Sequence, residues 1–270
     1  ACDLTDEELV DYGIEMVPLS IRFGNEEFVD RVELSIDEFY RRLAEADDLP
    51  ETAAPAPGKF AEAFQRLLDD GADSIVCINL SAALSATMQA AETAAKGIEG
   101  DTDIRVVDSR SITAGLGAMV VSAAQAAAEG ATADEIGAMV EDMSERTRVY
   151  GVLDTLDNLK KGGRIGNAQA LLGSMLSIKP ALDLSSGEVE EAGKLRTRKK
   201  SLAWLRDKVA GETKIEKLAI MSSMCDDEDV FRTMLSEVAD VEDLRIGPIG
   251  AVIGTHGGPG VIGVAYVVAP

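Results

Sequence analysis

Ser81 and Ser85 stand four residues apart in LSAALSATM, and Thr52 carries the one hydroxyl of ETAAPAPGKF. Arg164 follows a double glycine in LKKGGRIGNAQ, and His256, the only histidine of the chain, lies in GTHGGPG. Hydroxyl, guanidinium and imidazole groups are hydrogen-bond donors suited to a carboxylate or phosphate, and an arginine aimed from a glycine turn suits the same anion. The same residues also fit a nucleophile and its general base, with Ser81 or Ser85 as nucleophile and His256 as base of a serine hydrolase acting on lipid esters. Each has a plainer reading as well, Ser81 as a helix cap and His256 as part of a turn between two strands.

Other chemistries find less support. Residues 258–263, GPGVIG, formally match G-x-G-x-x-G, but a β-like run follows where a dinucleotide site needs a helix. GLGAM at 115–119 lies in an alanine-rich helical pattern, and neither G-x-x-x-x-G-K-[ST] nor G-x-S-x-G occurs. With one histidine, and Cys2, Cys77 and Cys225 scattered without a CxxC pair, no metal site or disulfide framework has its spacing, so no metal and no cofactor is expected. That cysteine usage favours a cytoplasmic protein.

These groups need a scaffold, and 270 residues with 46% hydrophobic content can build one or two domains around packed cores. The pairs Thr5–Glu8, Ser35–Glu38 and Thr132–Glu135 fit capping boxes ahead of helices. SIVCINL (74–80), RVVD (105–108), VYGVLDT (149–155) and LAIMSSM (218–224) read as strands. Strands alternating with helices predict an α/β layered fold with parallel pairing, the serines lying at the carboxyl end of the 74–80 strand and opening a helix, where ligands bind in open α/β sheets. The proline-rich 51–60 stretch predicts an extended loop before a helix starting near Lys59. Beyond about residue 150 the pattern turns to hairpins: KPALDLSSGEVEEAGKLR predicts two strands around Ser-Ser-Gly, and IGAVIGTHGGPGVIGVAYVV two strands around the histidine. A division into an N-terminal α/β domain, 1–148, and a C-terminal α+β domain with a mixed or antiparallel sheet, 149–270, follows.

The 48 acidic against 26 basic residues give a formal charge of −22, which argues against nucleic-acid or anionic-membrane binding through the overall field. Basic residues cluster only in LKKGGRI and KLRTRKK. No apolar run approaches the roughly 20 residues of a membrane span.

Read in order, ACDLTDEELVDYGIEMVPLSIRFGNEEFVD, TAAPAPGKF, LSAALSATMQAA, VVDSRSITAGLG, LDTLDNLKKGGRIGNAQALLGSMLSIKPAL, KLRTRKKSL and IGTHGGPG resemble the DegV family of bacterial fatty-acid-binding proteins over nearly the whole chain. The resemblance implies a two-domain α/β fold that buries a long-chain fatty acid between its domains. It implies a non-catalytic carrier, a subunit that presents the carboxylate to a fatty acid kinase for acyl phosphate formation and so feeds phospholipid synthesis. A lipid-sensing interaction protein without a kinase is the third possibility beside carrier and hydrolase.

By position, the resemblance assigns the carboxylate to Thr52, Ser81, Ser85, Arg164 and His256, places Gly162, Gly163, Gly257 and Gly258 beside the headgroup, and gives Arg196 and Lys194 to kinase docking. Ala53, Ala54 and Ala56 stand where the family has Ser, Gln and Ser, and Ala82 and Ala86 where it has Ser and Gly. The family's first strand, ending in Asp-Ser, is expected ahead of Ala1.

Overall fold

A computed structural model of the chain describes residues 1–100, 102–174, 178–239 and 244–270. The expected α/β layering is present, with parallel pairing in the N-terminal part and a mixed sheet in the C-terminal part. Strands β4 (Ser74–Asn79) and β5 (Asp103–Asp108) pair in parallel. Helices α3 (Pro57–Asp69) and α4 (Thr87–Ala95) cover one face through Phe60, Phe64, Ala91 and Ala94. Against the other face lie α5 (Thr113–Ala128) and α6 (Ala133–Arg146), whose Met119, Ile136, Val140 and Met143 pack on Val107.

A six-stranded sheet follows in the order β10-β9-β11-β6-β7-β8, built from β6 (Thr147–Val152), β7 (Lys179–Asp183), β8 (Glu190–Leu195), β9 (Ile215–Ser222), β10 (Arg245–Pro248) and β11 (Ile262–Val268). Among the described residues only β9 and β10 run parallel within it. Side chains alternate across the pleat. Tyr150, Val152, Ile262, Val264 and Tyr266 meet α8 (Arg198–Ala210) and α9 (Glu228–Ser236) on one face, while Val149, Leu153, Val261 and Ala265 face the other way.

The capping signals hold. Thr5 before α1 (Asp6–Asp11) and Thr132 before α6 form reciprocal boxes with Glu8 and Glu135, and the Ser35 hydroxyl accepts the Glu38 N–H at the start of α2 (Ile36–Glu45). The four strands and the Ser-Ser-Gly hairpin lie where the sequence predicts them.

Three local expectations change. The apolar run Ala251–Ile253, expected as a strand before the histidine, begins a short helix, α10 (Ala251–Gly257). Seven residues are too few for periodicity to separate helix from strand. The helix is held by burial of Ala251 and Val252 against Phe39 and Tyr40 of α2. Second, Ser81 opens a turn rather than a helix, since α4 begins only at Thr87 behind an Ala86 cap. Third, residues 20–53 form an antiparallel sheet of β1 (Ser20–Phe23), β2 (Glu26–Val29) and β3 (Glu51–Ala53), so Thr52 sits on a short edge strand beside Ile21 rather than in a loop. Among the described residues no helix is long and apolar enough to cross a membrane.

Candidate functional site

A cavity of about 1090 Å³, counting the space at its opening, lies between the N-terminal elements and the large sheet. Its inner wall is aliphatic, with Leu80, Ile112, Leu153, Leu182, Met221 and Ile249 among the lining residues. Polar side chains enter from four separate elements: Thr52 from β3, Ser85 from the turn before α4, Arg164 from the glycine turn after α7 (Asp157–Lys161), and His256 from the last turn of α10.

Thr52 Oγ1 and His256 Nε2 are 3.0 Å apart. His256 Nδ1 is buried and has no hydrogen-bond partner in the described structure. A buried lone pair is easier to leave unpaired than a buried N–H, so we assign the proton of the neutral ring to Nε2, donating to Thr52 Oγ1. The threonine hydroxyl hydrogen is then available to an acceptor in the cavity. Burial, and secondly the positive charge of Arg164, press the imidazole down to about 4, so it is neutral near pH 7.

Glycines make room for this ring. A Cβ on Gly162 would collide with His256 Nδ1, and would also lie 3.0 Å from Asn158 O. Gly258, at φ +77°, ends α10 in a conformation that L side chains rarely adopt. Gly257 lines the cavity, and Gly163 has φ +70° with open space around it. Arg164 is exposed at the mouth, where its Nη1 donates to Gly162 O at 2.9 Å and Nε to Leu84 O at 3.4 Å.

Of the two serines, only Ser85 reaches the cavity. Its Oγ is 2.8 Å from Thr87 Oγ1 and accepts the Thr87 N–H at 3.3 Å. Ser81 is buried outside it, donating to Gly187 O at 2.6 Å in the β7–β8 turn. Neither serine bonds His256 among the described residues, so the nucleophile–base pair of the hydrolase reading does not form here. Ala53, Ala54 and Ala86 line the mouth with methyl groups. Lys194, 3.6 Å from Glu191, and Arg196 are exposed near the start of α8, away from the cavity lining. No cluster suited to a metal ion occurs among the described residues, and the three cysteines are free.

Several supporting residues carried no signal in the sequence. Asn158 Nδ2 donates to Thr255 O at 3.1 Å, holding the end of α10. Ser223 fixes the turn after it: its hydroxyl donates to Gly258 O at 2.8 Å and accepts the Val261 N–H at 3.0 Å. Thr113, at φ +52°, lines the cavity and donates to Met221 Sδ at 2.6 Å. Such contacts join residues far apart in the chain, which local pattern does not encode.

The comparisons with known proteins agree with this architecture. The family model described as "Uncharacterised protein, DegV family" matches residues 1–269. A DegV domain-containing protein of Streptomyces coelicolor is 37% identical over 257 residues, covering 94% of this chain and 90% of the relative. Among solved structures, a DegV family protein from Thermus thermophilus, described for its fatty acid binding, matches with TM-score 0.90 and 32% identity over 99% of this chain and 96% of the other. DegV of Bacillus subtilis, described as a fatty acid binding protein, matches with TM-score 0.86 and 26% identity, covering 99% and 96%. With its architecture and nearly its full length matched, the chain belongs to the DegV family.

Proposed function

We propose that this protein binds one long-chain fatty acid, with the acyl chain in the aliphatic cavity and the carboxylate at its mouth, and presents that carboxylate to a fatty acid kinase in the cytoplasm. The observation that carries the reading is the segregation within one cavity: an aliphatic interior, and Thr52, Ser85, Arg164 and His256 gathered from four elements. A fatty acid has the same division between tail and head. Fatty acid binding by the DegV relatives of Thermus thermophilus and Bacillus subtilis supports it.

Burial of the tail supplies affinity, about 0.8 kcal/mol per methylene before the costs of ordering the ligand. The head supplies orientation. The Thr52 hydroxyl, turned outward by His256, and the Ser85 hydroxyl donate to the carboxylate, each charge-assisted bond contributing about 1.5–3 kcal/mol. Arg164 adds positive charge at the mouth. On this reading the chain divides as 1–148 and 149–270, with the cavity at the junction. The protein then holds no nucleophile of its own, and Lys194 and Arg196 form part of the kinase-facing surface.

Mass spectrometry of an organic extract from natively purified protein tests this directly. Near-stoichiometric fatty acid is expected. An empty extract together with no uptake of palmitate or oleate would sink the reading. Acyl phosphate formation with a cognate kinase and ATP tests the second half: a loaded protein that is never phosphorylated by kinases of the same source would make it a lipid sensor instead.

A further inference from the structure

The floor of the cavity contains a trough whose depth depends on one glycine. Across the large sheet, Leu182 of β7 pairs with Gly151 of β6, Gly151 with Gly263 of β11, and Gly263 with Met221 of β9. Paired residues share a face of the pleat. Leu182, Gly151, Gly263 and Met221 all line the cavity. With strands about 4.8 Å apart, the backbones of Leu182 and Met221 stand about 14 Å from each other; Met221 Cε overlies Gly263, 3.5 Å from where a Cβ there would lie, so the trough opens over Gly151. All four are buried, unlike the partly exposed groups at the mouth, so the trough belongs to the inner part of the cavity.

The two glycines are there for different reasons. A Cβ on Gly263 would lie 2.5 Å from the carbonyl oxygen of Tyr150, a backbone collision, so the sheet itself requires that glycine. No such demand exists at Gly151. Its φ is not positive, and a Cβ there would meet only Leu153 Cδ1, at 3.8 Å, an ordinary contact. Glycine inside a strand costs stability and marks places where something approaches the backbone closely. Here the open direction is the cavity.

We propose that Gly151 sets the acyl-chain capacity of the cavity: the tail crosses the sheet over Gly151, between Leu182 and the Met221 side chain that overlies Gly263. This rests on the fatty-acid reading above. A side chain at 151 fills the trough and keeps the terminal methylenes out of it, each excluded methylene weakening binding about fourfold. Shorter chains that end before the trough are unaffected.

The test compares the wild-type chain with Gly151→Ala and Gly151→Val by titration with saturated fatty acids of twelve to eighteen carbons, alongside thermal melts. In wild type the longer chains bind more tightly. Gly151→Val is expected to lower the ratio of eighteen-carbon to twelve-carbon affinity at least tenfold, and Gly151→Ala severalfold, with melting temperatures at or above wild type. The alanine variant decides the matter if the valine variant does not fold. Wild type that binds the series, with both folded variants keeping its chain-length ranking, would overturn the role of Gly151 alone. Wild type that binds none of the series would overturn the fatty-acid reading beneath it.

Discussion

Thr52 and His256, 204 residues apart in the chain, meet at 3.0 Å and behave as one unit, the imidazole fixing the direction in which the threonine hydroxyl donates. The pair spans the junction between the first antiparallel sheet and α10. On the proposed fatty-acid reading, recognition at the mouth depends on a contact that neither segment makes alone.

Removal of the ring should disturb orientation more than affinity. His256→Ala frees the Thr52 hydroxyl to rotate but leaves the tail-binding surface intact. The expected result is near-wild-type fatty acid retention in an extract, with at least tenfold slower acyl phosphate formation with a cognate kinase. Equal losses in both assays would show that the histidine supports the cavity itself.

The same ring makes stability depend on pH. Its folded value of about 4 lies below the ordinary 6.5, so between these values the unfolded chain binds the proton more readily. The histidine's contribution is fully present above pH 6.5 and is lost as pH falls toward 4, reaching about 3 kcal/mol at most. Urea midpoints at pH 7 and pH 4.5 check this. His256→Gln should show a smaller drop than wild type, because the carboxylates titrate in both and the imidazole in only one.

Ser81 and Ser85 should separate cleanly. Ser85→Ala removes a donor at the mouth and is expected to weaken fatty acid binding by about tenfold with little change in melting temperature. Ser81→Ala breaks a buried bond to Gly187 O and is expected to cost about 1–2 kcal/mol of stability while leaving the bound lipid unchanged. Titration and denaturant unfolding of the two variants distinguish these roles.

Ser223→Ala leaves Gly258 O and the Val261 N–H without their partner behind the histidine turn. A loss of about 1–3 kcal/mol in stability is expected, with weaker ligand retention, because α10 loses its anchor. Denaturant unfolding measured with and without added fatty acid separates the two effects.

The sequence disclosed the elements better than their meetings. Thr5, Ser35 and Thr132 announced their helices because a cap is a contact over three residues, and Ser74–Asn79 announced its strand by composition. Gly24-Asn25, between β1 and β2, is a local hairpin signal of the same kind. Ala251–Gly257 reads as a strand because Ala, Val and Ile suit a buried strand, and what makes them helical is Phe39 and Tyr40, more than 200 residues earlier. Residue type and resemblance mark Thr52, Ser85, Arg164 and His256, and the structure brings these four to one cavity. It places Ser81 elsewhere, since the acceptor that claims its hydroxyl lies 106 residues away. Gly151 carries no signal in the sequence, because the open space beside it is visible only once its surroundings are known.

The central position of β11 has a consequence for how the protein is made. Strand 262–268 lies between β6 and β9, which share no pairing of their own. During synthesis these two strands leave the ribosome long before the one that joins them, and their inner edges stay unpaired for that interval. Unpaired edges of this kind are templates for association with other chains, and here they are closed only by non-local pairing with the last strand.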